Sequence, residues 1–373
     1  MLGLAQKQKG YTPIGLDLRD TYVHAIQFHL EKGEPKLHAA ARQPVADAEA
    51  VPVGVAPQVY ALTTLLEAHP FVGRRVVSAL PSGDVDIRPI TLPDGVTPGK
   101  GPQFREALRM EARSCLLYGP ENAILSYLPI DEPGQESNQD AASVLLVAAK
   151  KEIVNRHLAL LKAVGLQCAH LDIHPCAALR VLNRREAAEP GDAAFVTIEL
   201  DREHATISLA AGLHLRFSRV VKLGLQTFVA QLMQALEIDA HEATQILSVY
   251  GIDPTGAAGL DLDGAATTGT LRAEALPLTV FEICSRALEQ FAAEVRRTMH
   301  YFSLQRRGAA FTKAYTYGAC LPARFEDFLT DALAIPVIRG DAFSPFSRDS
   351  GGTSANGAAF VVAAGLALRD DAS

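Results

Sequence analysis

The sequence predicts a chain of two lobes in which strands and helices mix throughout, an α/β or α+β class. Two observations predict it. In the first, Ile14, Leu16 and Leu18 alternate with Asp17 and Arg19. Asp20 breaks the run, and Tyr22, His24, Ile26 and Phe28 alternate again. This is a hairpin packed on one face, with an acid near its turn. In the second, the same grammar returns far along the chain. Ala194, Val196, Ile198 and Leu200 alternate, Glu199 stands where Asp17 stood, Asp201-Arg202-Glu203 makes the turn, and Thr206 to Leu209 leads back out. A repeated strand–acid–turn–strand unit suggests a duplicated fold facing a shared cleft, with Asp17 and Glu199 on opposite walls.

The remaining elements follow in order. Lys36 to Arg42 returns as a third strand, and Pro44 to Pro57 is a connection. A short helix over 59–68 puts Leu62, Leu65 and Leu66 on one side. Arg75 to Leu80 is a buried strand, and 85–92 is a further extended piece between two turns. Phe104 to Leu117 is rich in helix formers. Ile124 to Ile130 and Ser143 to Ala149 are strands around a polar hairpin loop, 131–140. A helix over 152–164 carries Val154, His157, Leu158 and Leu161 on one face and stops at Gly165. Gln167 to Ile173 is a strand, and Pro175 opens a helix where its missing N–H costs nothing. The run 186–192 marks a domain boundary. Beyond the second hairpin, Gly224 opens a helix, Asp239 and Glu242 form a capping box, and 256–269 is a low-complexity loop. Phe281, Cys284, Leu288, Phe291, Val295, Met299 and Phe302 form the stripe of a long helix. Ala314 to Tyr317 is a strand, 324–333 a helix, 336–338 a short strand and 358–369 a small-residue helix.

Composition bounds the function. A chain of 373 residues has room for two domains with their own cores. Its net charge of −7 argues against a nucleic-acid partner held by phosphate contacts. No apolar run is long enough to span a membrane, and Met1 to Gly10 lacks the apolar core of a signal peptide. Cys115, Cys168, Cys176, Cys284 and Cys320 lack metal-ligand spacing and fit reduced residues of a cytoplasmic protein. The run Cys168-x-His170-x-Asp172-x-His174-x-Cys176 looks metal-like. In a strand, however, its members stand about 7 Å apart in succession, too far for neighbours to chelate one ion. No Ser-His-Asp set or Walker motif is present.

Five segments, in order, resemble the actin-like ATPase superfamily and, within it, the PilM family of type IV pilus machines. They are Ile14-Gly15-Leu16-Asp17-Leu18 with Ala25-Ile26; Leu80-Pro81-Ser82 with Ile90-Thr91-Leu92-Pro93; Glu106-Ala107 and Glu111-Ala112 with Tyr127; 147–152 with 163–166 and Leu171-Asp172; and 364–369. The resemblance implies an α/β, actin-like (duplicated ribonuclease H-like) fold. Each lobe has a five-stranded sheet, and a subdomain of about 84–165 is inserted in a first lobe of 1–190. The second lobe is then 191–334, and 335–373 returns to the first. The implied role is a non-enzymatic scaffold, cytoplasmic and peripheral at the inner membrane. It would bind the cytoplasmic tail of a PilN-like membrane protein and meet other pilus platform or motor proteins, with self-association a further implied contact. The alternatives are an active actin-like ATPase and the cytoplasmic half of a secretion platform protein.

Actin-like proteins hold ATP with magnesium between two glycine-containing turns. Asp17 matches the aspartate of the first turn, but Arg19 replaces the glycine, Asp20 and Thr21 take the polar positions, and His24 replaces a lysine. In the second turn Glu199 replaces the aspartate and Asp201 the glycine, with Thr206 following. The adenosine stretch keeps one glycine, Gly318. Asp201 beside a triphosphate costs about 4 kcal/mol at about 4 Å and an effective dielectric of about 20. The expectation is a degenerate pocket that binds ATP with magnesium weakly or not at all and needs no cofactor, with Arg19 and Asp201 paired across the cleft. The resemblance places the partner's tail in a groove between the first lobe and its insertion. Phe104 and Leu108 would be its apolar anchors if they face the groove rather than the core, and Arg105 and Arg109 its charged contacts.

Overall fold

A computed structural model of the chain describes residues 10–99, 101–130, 143–186, 194–252, 276–305, 310–319, 321–346 and 357–369. The loops expected over 131–140 and 256–269, the boundary run after Glu186, and Cys320 lie outside the described residues. The described strands are β1 (Ile14–Leu18), β2 (Tyr22–Glu31), β3 (Glu34–Pro44), β4 (Arg75–Leu80), β5 (Val85–Thr91), β6 (Ala123–Pro129), β7 (Ser143–Lys150), β8 (Gln167–Ile173), β9 (Ala194–Leu200), β10 (Ala205–Ala211), β11 (His214–Val221), β12 (Phe311–Tyr317) and β13 (Val337–Arg339). The helices are α1 (Pro57–Ala68), α2 (Pro102–Cys115), α3 (Lys151–Ala163), α4 (His174–Glu186), α5 (Leu225–Leu236), α6 (Ala240–Val249), α7 (Leu276–Gln305), α8 (Phe325–Leu333) and α9 (Val361–Ala367). No helix among the described residues is long and apolar enough to cross a membrane.

The chain divides into two compact units. One comprises Met1–Gly191, Ala210–Ser218 and Asp341–Ser373; the other comprises Asp192–Leu209 and Arg219–Gly340. The two five-stranded sheets have matching orders, β3-β2-β1-β4-β8 and β11-β10-β9-β12-β13. In the first, β1 runs antiparallel to β2 and parallel to β4, which is parallel to β8. In the second, β12 runs parallel to both β9 and β13. The duplication inferred from two hairpins therefore extends to whole sheets. Strand β11 was not anticipated, because Arg216 and Arg219 interrupt its apolar pattern; Arg216 is nonetheless buried.

The first sheet departs from the expected one-sided burial. Every residue of β1 is buried. Ile14, Leu16 and Leu18 join a core with Leu62 and Leu65 of α1 and Leu161 of α3. The other face is covered by α9, all seven of whose residues are buried. A Cβ on Gly15 would lie 1.9 Å from the carbonyl oxygen of Ala363. A Cβ on Gly365 would lie 1.8 Å from that of Ala177 in α4. Two glycines thus let a fully apolar helix lie directly between a strand and a helix.

A third sheet, β5-β7-β6, is inserted between β4 and β8 and carries α2 on one face. Helix α3 follows β7 and leads the chain back to the first sheet, where Leu161 joins the core. In the second unit, β13 follows α8 and pairs with β12, so the chain leaves that sheet only after Arg339. The capping box of α6 forms as its sequence indicates: Asp239 accepts from the Glu242 N–H, and the Glu242 side chain accepts from the Asp239 N–H.

Candidate functional site

The two hairpin turns are built alike. In the first, the Arg19 N–H donates to the Tyr22 carbonyl at 3.0 Å. In the second, the Asp201 N–H donates to the His204 carbonyl, also at 3.0 Å. Neither turn contains a residue of positive φ, so neither needs a glycine for its own conformation. Each acid sits at the end of the strand that enters its turn, Asp17 in β1 and Glu199 in β9, and both are buried.

Asp17 is held by its own lobe. Arg19 lies two residues on and therefore projects to the same side of the strand. Its Nε donates to Asp17 Oδ2 at 2.8 Å, and both side chains are buried. His174, the first residue of α4, brings Nε2 to 3.4 Å from Asp17 Oδ1, long enough that their attraction is chiefly electrostatic. Burial alone would push the Asp17 carboxyl up. Arg19, His174 and His24 outweigh burial and hold it well below the usual carboxylate range. Asp20 is exposed and accepts from Gln58 Nε2. The Thr21 carbonyl accepts from the Val45 N–H.

The metal-like run divides between different partners. His174 faces Asp17, whereas Asp172 receives Arg180 at 2.8 Å and Arg369 at 3.0 Å. The Cys168 thiol reaches the His170 carbonyl. Among the described residues no three of these side chain types gather around a point where an ion could sit.

The second turn carries its own anion. Asp201 Oδ1 accepts the backbone N–H of Arg202 at 2.7 Å. The carbonyls of Asp201 and Arg202 accept from Leu225 and Gln226, the first residues of α5. The turn amide and the helix N-terminus are thus both engaged within the unit. Thr206 is buried on β10, and its hydroxyl finds no hydrogen-bond partner among the described residues. Gly318 ends β12 with φ +143°, where a Cβ would lie 2.2 Å from the Leu200 carbonyl oxygen. The one retained glycine of the adenosine stretch is therefore fixed by packing against β9. Beside it, Thr316 donates to Glu326, whose carboxylate also takes Arg339.

Sequence reading missed a second buried polar pair, Ser78 and His157. Ser78 Oγ donates to the Leu16 carbonyl at 2.8 Å and lies 2.9 Å from His157 Nε2. The hydroxyl proton is spent on Leu16, so the ring donates through Nε2–H. The only signal in the sequence was a histidine at a stripe position of α3. Burial lowers the His157 pKa to about 4, despite the opposing pull of Asp17. The folded value lies below the ordinary 6.5, so this histidine's contribution is complete above about pH 6.5. It is lost as the pH falls toward 4, because the unfolded chain takes up the proton first. Urea denaturation should show about 2 kcal/mol less stability at pH 5 than at pH 7 from this group. His157→Gln should remove most of that difference.

The expected partner residues separate into two sets. Phe104 and Leu108 are 3% and 6% exposed and pack with Ala107, Ala112 and Leu146 in the core of the inserted subdomain. Phe104 meets Tyr127 edge-on at 4.6 Å. Spacing by four puts both on the face of α2 that covers the sheet, so they are not free anchors for a tail. Arg105 and Arg109 lie on the exposed side. Beneath the sheet, register places Ile87, Ser126 and Val147 side by side, facing away from α2, with Ile124 and Leu128 flanking on β6. Ile87, Leu128 and Val147 are half-buried and Ile124 is exposed.

The family model of type IV pilus assembly protein PilM matches residues 15–249. No curated protein sequence matches the chain. Among solved structures, a chain of a PilM-PilN type IV pilus biogenesis complex is 22% identical, with a TM-score of 0.74, covering 96% of this chain and 98% of its own. Ethanolamine utilization protein EutJ from Carboxydothermus hydrogenoformans is 13% identical, with a TM-score of 0.51, covering 97% of this chain and 90% of its own. The fold is the actin-like α/β fold expected from the sequence.

Proposed function

The chain belongs to the PilM family of type IV pilus assembly proteins, and from that membership we propose a non-enzymatic scaffold. It works in a type IV pilus machine or a related secretion or competence system. It is cytoplasmic and held at the inner membrane by the cytoplasmic tail of a PilN-like protein. The similar solved structure is of a PilM-PilN complex, which supports this choice of partner.

The observation that carries the non-enzymatic part is the state of the two turns. An actin-like site for ATP and magnesium uses a free carboxylate in one turn and free backbone amides in both. Here Asp17 already has Arg19 as its cation, and the Arg202 amide already has the Asp201 carboxylate as its anion. The residues present do not fit a magnesium-bound triphosphate, and no step of a reaction is assigned to them. The alternative, an active actin-like ATPase, has no comparable observation in its favour.

The tail is assigned to the sheet face opposite α2. Ile87, Leu128 and Val147 offer apolar contacts there, and the edge strands β5 and β6 offer backbone hydrogen bonds. A pull-down with the tail of the co-encoded PilN-like protein tests this. An Ile87→Glu/Ile124→Glu variant with an unchanged circular dichroism spectrum should lose the tail. Full retention by that variant would move the site elsewhere.

A further inference from the structure

On α2, Arg105, Arg109 and Arg113 recur every four residues and all are exposed. They form a row with one guanidinium about every 6 Å along the helix. Met110, next to Arg109 in sequence, is 61% exposed, and Leu117, in the turn that follows the helix, is wholly exposed. Neither contributes to the subdomain core, which α2 meets through Phe104, Ala107, Leu108 and Ala112. Acidic residues are sparse on this side: Glu106 is exposed and Glu111 half-buried. The chain as a whole carries a net charge of −7, so this positive row is local.

We propose that this side of α2 binds the surface of an anionic phospholipid bilayer directly, independently of any protein tail. The arginines would pair with lipid phosphates, as guanidinium groups do bidentately. Met110 and Leu117 would enter the boundary between headgroups and acyl chains, where apolar side chains add to the electrostatic attraction. An acidic peptide is the weaker candidate. A peptide paired with the arginines alone would leave Met110 and Leu117 in water. A planar bilayer satisfies the charged row and the apolar pair together.

Sedimentation of the full chain with vesicles tests the proposal, with no partner protein present. One set is phosphatidylcholine alone; the other is three parts phosphatidylcholine to one part phosphatidylglycerol. The chain should pellet with the anionic vesicles only, and salt should release it. Each arginine near such a surface contributes roughly fivefold in affinity, so the triple variant Arg105→Ser/Arg109→Ser/Arg113→Ser should bind roughly 100-fold more weakly. Met110→Ser/Leu117→Ser should weaken binding several-fold while keeping its salt dependence. All five positions are exposed, so the variants should fold, and circular dichroism confirms it. Equal binding to both vesicle types, no binding to either, or an unchanged triple variant overturns the proposal. Capture of polyglutamate without capture of anionic vesicles overturns it in favour of an acidic protein segment.

Discussion

Gly15→Val should be the most damaging single substitution in the first sheet. Its Cβ would meet the Ala363 carbonyl oxygen at 1.9 Å and the Ala367 nitrogen at 2.4 Å, both backbone atoms of α9 that cannot swing aside. Either α9 leaves the sheet or β1 shifts, and both β1 and α9 are buried throughout. The expected loss is more than about 3 kcal/mol, a large share of the roughly 5–15 kcal/mol that folds a typical domain. Gly365→Val should behave alike, since its Cβ would meet the Ala177 carbonyl oxygen at 1.8 Å. Gly101→Ala, at a position with open space around it, should stay within about 0.5 kcal/mol of the parent. Urea midpoints measure all three. A parental midpoint for Gly15→Val would mean that α9 does not lie against β1.

Arg19→Gly combined with Asp201→Gly should raise the chain's affinity for ATP with magnesium. The first change strips Asp17 of its cation, and the second frees the Arg202 amide and removes a charge worth about 4 kcal/mol of repulsion beside a triphosphate. An affinity gain for ATP with magnesium of roughly 100-fold or more is expected for the pair. Either change alone should give much less, because each leaves one turn self-satisfied. Calorimetry decides it. Low-micromolar affinity in the parent would overturn the reading of the turns, and an unimproved double variant would show that more than these two residues closed the site.

The elements that were legible in the sequence share a simple local signal. Strands β1 and β9 alternate, the α7 stripe repeats at helical spacing, and Asp239 with Glu242 is a local device. What was not legible depends on residues distant in sequence. The face of β1 that carries Gly15 and Asp17 is covered by α9 and α4, which the chain supplies long after β1. The pairing of Arg19 with Asp17 was open to inspection, since two residues apart on a strand means one face. The core position of Phe104 and Leu108 was open to inspection in the same way. Their spacing with Ala107 and Ala112 describes a core stripe, and the helix has only one such face to bury. Strand β11 escaped because Arg216 is a charged residue buried in a sheet, which pattern reading scores as a break.

The central claim is that this chain holds a membrane protein's tail as a scaffold, without using nucleotide. Calorimetric titration of the PilN-like tail into the full chain, with and without ATP and magnesium, tests it most directly. The account predicts the same affinity in both and no release of phosphate when the tail is bound. Tail binding that requires ATP, or ATP hydrolysis that the tail stimulates, would contradict it.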